Sequence, residues 1–133
     1  MSPQFKVWNP KKKEFFIQGD TDSLECALFY FEVTAKVDLP CQYIGLKDKS
    51  GRKIYANSEI VKFKFSQELN KFTELIGVFS YQEEELRYEI EIFNNPYYLC
   101  LSYMSNGQMY DFEVIGTVEQ NPELIQKQII QHV

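Results

Sequence analysis

The residue types that most often carry out chemistry are sparse in this chain of 133 residues. Its one histidine, His132, is second from the end, and a Ser-His-Asp triad needs a histidine that a third group holds in place. The three cysteines, Cys26, Cys41 and Cys100, show no Cys-x-x-Cys spacing, so neither a zinc site nor an activated thiol is indicated. We therefore expect no catalytic residue, no metal and no cofactor, and we expect the cysteines to be buried, reduced core residues.

Loops that bind ions or nucleotides are not indicated by the sequence. Asp20 and Asp22 begin like a calcium loop, but position five would be Leu24 and the bidentate glutamate is missing at the required offset. The glycines match neither a P-loop nor a dinucleotide fingerprint. An enzyme of unrecognised type stays open as an alternative, because an active site can be assembled from residues that are distant in sequence.

Acidic side chains are concentrated around one short stretch, and they form the candidate interaction surface of the sequence. These residues are Glu83, Glu84, Glu85, Glu89 and Glu91. If the segment after the turn is a strand, Glu89 and Glu91 share its outward face. The alternative is an ordinary solvated hairpin, which is what runs of charge usually are.

Charge and hydropathy limit the kinds of partner. The net charge is -5, the sequence pI is about 4.9, and only one tight basic cluster is present, at positions 11–13. A nucleic-acid interface needs a basic surface, so direct binding of DNA or RNA is not expected. Neither a signal peptide nor an apolar run of membrane-spanning length is visible, so we expect a cytoplasmic protein without a membrane partner.

The elements that must position these residues are predicted to be strands. Aromatic residues make up 16% of the chain, and apolar and polar residues alternate in several segments, most clearly over 59–65 and 86–93. The predicted strands cover 5–8, 14–18, 43–46, 54–55, 59–65, 72–81, 86–93, 97–103 and 110–118. In the predicted strand over 59–65, we expect Val61, Phe63 and Phe65 to face the core. Ile60 is expected to lie with the lysines on the solvent-exposed face. Segment 23–37 is ambiguous between helix and strand, and strand is favoured.

Turn positions give the sheet its geometry. Gly51 is free to adopt positive φ in a hairpin, and Asn57 can take the left-handed conformation at a corner. The pair Asn106 and Gly107 between two alternating runs predicts another hairpin.

A short helix is predicted at the end of the chain. Asn121 can cap it, and Pro122 suits its first turn. Ile125, Ile129 and Val133 then recur at four-residue spacing, which is typical of an amphipathic helix that docks by an apolar stripe. Such a short helix is marginal in water, so we expect it to pack on the sheet or on a partner.

Three stretches of the chain resemble the YopX family of small phage and prophage proteins. They are QYIGLKDKSGRKIYANSEIVKF from Gln42, FEVIGTVEQNPELI from Phe112 and FKVWNPKKKEFF from Phe5. The resemblance implies a β-rich fold related to SH3-like barrels, and an origin in a phage or prophage of a Gram-positive-type host. It implies no activity, because none is established for the family.

One departure from the family pattern lies at a turn. The family usually turns through Tyr-Glu-Gly-Asp-Ile-Val, whereas the segment from Tyr55 to Val61 is one residue longer and has no glycine. Asn57 is the residue that can replace the glycine there.

The sequence thus predicts a mainly β protein: a small SH3-like β-barrel with additional hairpins and a short C-terminal α-helix, in a single domain over residues 1–133. The functional hypothesis is a non-enzymatic phage or prophage accessory protein that acts as a protein-interaction module. The alternative is an acidic inhibitor of a host defence or nucleic-acid enzyme. A homo-oligomer is also expected, because a small barrel cannot bury so many aromatic rings.

Overall fold

The computed structural model describes residues 4–17, 41–68, 70–103 and 108–125. The predicted strand at 23–37, the Asn106-Gly107 turn, Cys26 and the chain after Ile125 lie outside the described residues. The chain divides into two compact units, Met1–Ile44 and Gly45–Val133. The expectation of one domain over residues 1–133 stays a prediction.

The first unit contains an antiparallel hairpin of β1 (Phe5–Asn9) and β2 (Glu14–Ile17). The strand β3 (Cys41–Lys47) starts in this unit and pairs with β1 on its other side. The side chain of Asn9 closes the hairpin turn, because its Oδ1 atom accepts the backbone N–H groups of Lys11 and Lys12. The turn therefore satisfies its own backbone donors.

The second unit is built around a five-stranded antiparallel sheet with the order β8-β7-β6-β5-β9. The short strand β4 (Lys53–Tyr55) precedes this sheet in the chain. The five strands are β5 (Glu59–Glu68), β6 (Lys71–Gln82), β7 (Arg87–Ile92), β8 (Cys100–Ser102) and β9 (Met109–Thr117). The sheets are curled and include a half-barrel, and a short helix follows β9. The mainly β prediction with a short C-terminal helix is confirmed, and the likeness to SH3 barrels stays a prediction.

One face of the five-stranded sheet, which we call the inner face, carries the larger part of the core. Val61, Phe63 and Phe65 on β5 are buried, as the alternation predicts. Their neighbours across the sheet include Leu75 and Phe79 on β6. Aromatic rings fill the space between them, with the Phe63 and Phe112 rings stacked at 5.0 Å between centroids. Apolar burial on this face is therefore the main source of stability for the second unit.

The opposite, outer face carries a second and smaller apolar cluster. Ile60, Val78 and Phe93 are buried together there, and Leu124 and Ile125 of the helix pack against them. The prediction that Ile60 lies on a solvent-exposed face is wrong, since Ile60 is 0% exposed. Ile60 does lie on the face opposite Val61, as the alternation predicts, but Leu124 and Ile125 of the helix cover this end of the outer face.

The helix starts at residue 123, as the Asn-Pro signal predicts, but Asn121 has a different role from a cap. The N–H groups of Leu124 and Ile125 donate to the carbonyls of Asn121 and Pro122. The Asn121 side chain instead turns back to the sheet, where its Oδ1 atom accepts the N–H of Thr117 at 3.1 Å. The side chain thus fixes the helix to the end of β9.

Replacing Ile125 with aspartate is expected to lower the free energy of unfolding by about 1–2 kcal/mol, because a half-buried apolar side chain is lost from the outer cluster. Thermal and urea unfolding measure the change. Glu123→Asp is the control, since it also introduces an aspartate into this helical turn, but at an exposed position. If the Ile125 variant keeps both its melting temperature and its mass in solution, the helix does not contribute to folding or assembly.

Candidate functional site

The strand β8 is one edge of the five-stranded sheet, and its backbone has an open side. The N–H of Ile92 donates to the carbonyl of Leu99, and the N–H of Tyr103 donates to the carbonyl of Tyr88. Hydrogen-bonded pairs alternate along an antiparallel ladder, so the N–H and C=O groups of Cys100 and Ser102 point away from β7. Within the described ranges, no strand pairs with that side.

The outer face beside this edge is acidic. Glu91 lies opposite Cys100 in the ladder, and Glu89 lies opposite Ser102. The Sγ atom of Cys100 donates to Oε2 of Glu89 at 2.9 Å. This hydrogen bond is the first cause that lowers the pKa of Glu89, and the charge of Arg87 acts in the same direction. Glu89 is therefore ionised at neutral pH.

Cys100 is exposed, so the prediction that it is a buried core residue is wrong. Its side chain points to the outer face of an edge strand, where neighbouring residues do not enclose it. Partial burial of the thiol raises its pKa, the hydrogen bond to Glu89 adds to the effect, and the resulting pKa is about 11. The thiol is thus protonated at neutral pH and is a poor nucleophile. Cys41 is half-buried, which also differs from the core position predicted for it.

The predicted acidic residues are only partly brought together. Glu83, Glu84 and Glu85 lie in the exposed turn between β6 and β7. Glu85 forms an ion pair with Arg87, and Arg87 also lies 3.7 Å from Glu89. Glu91 is exposed farther along β7, and no cationic side chain pairs with it in the described part of the chain. Glu85 and Glu89 therefore share the charge of Arg87, and Glu89 and Glu91 both lie beside the β8 edge.

Large apolar side chains flank the β8 edge. Tyr97 is 89% exposed and Leu99 is 68% exposed, and both immediately precede β8. The strand predicted over 97–103 is too long, since β8 covers only Cys100–Ser102. Tyr97 follows a turn at Asn95, whose Oδ1 atom accepts the N–H of Tyr97 at 2.9 Å. Two exposed apolar side chains therefore lie directly before the open backbone of β8. Such an arrangement is unusual for a sheet edge that contacts only solvent.

A shallow groove lies elsewhere, at the end of the β5–β6 hairpin. Its lining includes Phe65, Gln67, Glu68, Lys71 and Phe72. Lys71 and Glu68 pair with each other at 3.4 Å. The opposite charges of Glu68 and Lys71 are thus paired with each other within the groove.

Metal chemistry has no candidate in the described ranges, which hold no group of three or more histidine, cysteine, aspartate or glutamate side chains that could bind an ion. Among the same residues, no helix is long and apolar enough to cross a bilayer.

A family model described as YopX protein matches residues 4–126. The chain belongs to the YopX family. The match covers the two units, the β8 edge and the start of the helix, and it confirms the family resemblance seen in the sequence. No curated protein matches the chain.

The turn residues of this YopX protein have the conformations that the sequence predicts. Gly51 has φ 86 and Asn57 has φ 62, so both adopt the left-handed region. Asn57 also donates its N–H to the carbonyl of Phe79 at 2.7 Å, so an asparagine holds the left-handed position of a turn that has no glycine.

Sequence reasoning missed Asp48, which holds the turn after β3 against β9. Its carboxylate accepts the N–H groups of Ser50, Arg52 and Val114 at 2.8–2.9 Å. The available signal was an aspartate two residues before Ser50 and three before a turn glycine, a pattern typical of an Asx-turn. The contact with Val114 could not be read from the sequence, because the two residues are 66 positions apart.

Proposed function

We propose that this YopX protein is a non-enzymatic phage or prophage accessory protein that acts in the host cytoplasm by binding another protein through the β8 edge. The observation that carries the proposal is the open backbone of β8 next to exposed Tyr97 and Leu99. Addition of a partner strand to such an edge provides hydrogen-bond partners for the free N–H and C=O groups of β8 and covers the side chains of Tyr97 and Leu99. The family resemblance supports the phage origin and an SH3-like character of the fold.

The two edges of the five-stranded sheet differ, and this difference supports the choice of β8. At the other edge, the Asp48 carboxylate accepts the N–H of Val114, and the N–H of Lys49 donates to the carbonyl of Phe112. The β3–β4 turn therefore occupies hydrogen-bonding groups of β9. Natural proteins commonly protect sheet edges in this way, and β8 has no comparable cover among the described residues.

An acidic inhibitor of a host defence or nucleic-acid enzyme is the second candidate. The exposed positions of Glu83 and Glu84 support it. The ion pairs of Arg87 with Glu85 and Glu89 count against it, because they reduce the negative charge that these residues present.

Leu99→Glu is expected to reduce recovery of a host partner at least about tenfold, since a charge replaces an exposed apolar contact next to the docking edge. Affinity purification from a lysate of the bacterial host, with quantitative mass spectrometry, measures this recovery. Leu86→Glu is the matched control: Leu86 is 78% exposed, but it lies in the turn at the other end of β7. Equal recovery with the two variants would contradict docking at β8, and hydrolysis of a substrate by the purified protein would contradict a non-enzymatic role.

A further inference from the structure

We infer that the segment that docks on β8 is an extended strand of another protein with the pattern cationic residue, apolar residue, cationic residue. This inference rests on the proposed function, because it specifies the chemistry of the partner at the same edge. It uses three features of the described residues: the direction of the β8 backbone groups, the small side chains of β8 and the carboxylates of β7.

The backbone fixes which residues of the partner face the acidic side. Cys100 and Ser102 direct both their N–H and C=O groups to the open side and their side chains to the outer face. Partner residues directly opposite Cys100 and Ser102 therefore also project to the outer face, and the residue between them projects to the inner face. Alternate positions of the partner strand thus meet different surfaces.

The outer face favours long cationic side chains at the first and third positions. Strands are about 4.8 Å apart, so the backbone of β7 lies about 10 Å from an added strand on the far side of β8. Cys100 and Ser102 are small and leave a path above β8. Arginine and lysine are long enough to follow this path to the carboxylate of Glu91, which has no cationic partner in the described part of the chain. The carboxylate of Glu89 is also within this reach, and it is shared with Arg87 at 3.7 Å.

The inner face favours an apolar side chain at the middle position. Leu101 lies between Cys100 and Ser102 and is half-buried on the inner side, opposite Ile90. By the same alternation, Leu99 points to this side and is 68% exposed. An apolar residue between the two cationic ones would cover Leu99 and Leu101, whereas a polar one would leave them in water.

A second copy of this chain does not provide such a segment. Its sequence contains this pattern once, at Lys62-Phe63-Lys64. These residues lie in the middle of β5, which is paired with β6 on one side and with β9 on the other. The backbone of this segment is therefore already used, and the partner is a different protein.

Synthetic strand peptides test the inference with the full chain. A fluorescein-labelled seven-residue peptide with Lys-Val-Lys at its centre is titrated with the protein, and anisotropy gives Kd. The comparison peptides carry Glu-Val-Glu, or carry the two lysines and the valine in the order Val-Lys-Lys. We expect the Lys-Val-Lys peptide to bind at least about tenfold more tightly than either comparison peptide. Glu91→Lys should weaken its binding by a similar factor, and Glu84→Lys, which makes the same charge change in the exposed turn, should not.

Several outcomes would overturn the inference, and they separate it from the proposed function. Equal binding of the Lys-Val-Lys and Val-Lys-Lys peptides would show diffuse charge attraction in place of strand addition. No binding of any peptide, while Leu99→Glu still loses the host partner, would reject the basic strand and keep protein binding at β8. A dimer in light scattering that Glu91→Lys dissociates would show that a second copy occupies the edge. If Leu99→Glu has no effect on the host partner, the proposed function itself fails.

Discussion

Gly77→Ala is expected to lower the free energy of unfolding by about 3 kcal/mol or more, which is a large part of the stability of a domain of this size. Gly77 lies in the central strand β6, opposite Ile92 of β7. A methyl group there would overlap the carbonyl oxygen of Glu91 and come within 2.8 Å of the Ile90 Cγ2 atom. Backbone on the neighbouring strand cannot move aside without breaking the ladder that positions β7 and β8.

Urea unfolding of the wild type and the variant measures this effect. Thr73→Ala is the matched control, because it introduces alanine at an exposed position of the same strand, and its expected change is within about 0.5 kcal/mol. Since β7 carries β8, the Gly77 variant should also lose binding to any partner at that edge. A variant that unfolds at the wild-type urea concentration would show that β6 and β7 are not packed as closely as the structure describes.

Local patterns in the sequence predicted much of the fold. Alternation alone gave the inner face of β5, with Val61, Phe63 and Phe65 buried. The positive φ angles of Gly51 and Asn57 follow from the residue types that tolerate them. These features depend on neighbours within a few residues, so one sequence is sufficient to predict them.

Features that depend on distant partners could not be predicted in the same way. Ile60 is buried because residues 124 and 125 cover it from the end of the chain. Cys100 is exposed because β8 is short and lies at an edge, whereas a run of apolar neighbours had suggested a core strand. Composition and alternation do not show which part of the chain covers a sheet face, which decides the burial of Ile60, or which strand is last in a sheet, which decides the exposure of Cys100.

The candidate site shows the same division. Glu89 and Glu91 were correctly placed on one face of a strand, since alternation fixes this. Their closeness to the open backbone of β8 depends on strand order, which the sequence leaves undetermined. The exposed positions of Tyr97 and Leu99 depend on the turn at Asn95, whereas the sequence analysis predicted a strand over 97–103.

Asp48→Asn is expected to lower the free energy of unfolding at pH 7 by about 2–4 kcal/mol, because a buried carboxylate that accepts several backbone N–H groups is replaced by a neutral amide. The amide oxygen can still accept the N–H groups of Ser50 and Arg52, but its NH₂ group would then face the N–H of Val114. Two donors would meet at β9, and the turn would no longer be held there. Asp111→Asn is the control, because the Asp111 carboxylate is exposed and its ion pair with Lys64 is worth less than about 1 kcal/mol.

The difference in the free energy of unfolding between wild type and Asp48→Asn should depend on pH. This dependence separates the effect of the negative charge of Asp48 from the effect of the shape of its side chain. Burial alone would raise the pKa of Asp48, but the hydrogen bonds from Val114, Arg52 and Ser50 outweigh it, and the pKa is lowered from 3.8. The unfolded chain therefore takes up the proton first as the pH falls, so the contribution of Asp48 is complete well above pH 3.8 and is lost as the pH falls through the lower pKa of the folded state. Urea unfolding between about pH 5 and pH 2 should show the difference between wild type and Asp48→Asn becoming smaller over that interval. A difference that is the same at both ends of the interval would mean that the negative charge of Asp48 does not hold the turn to β9.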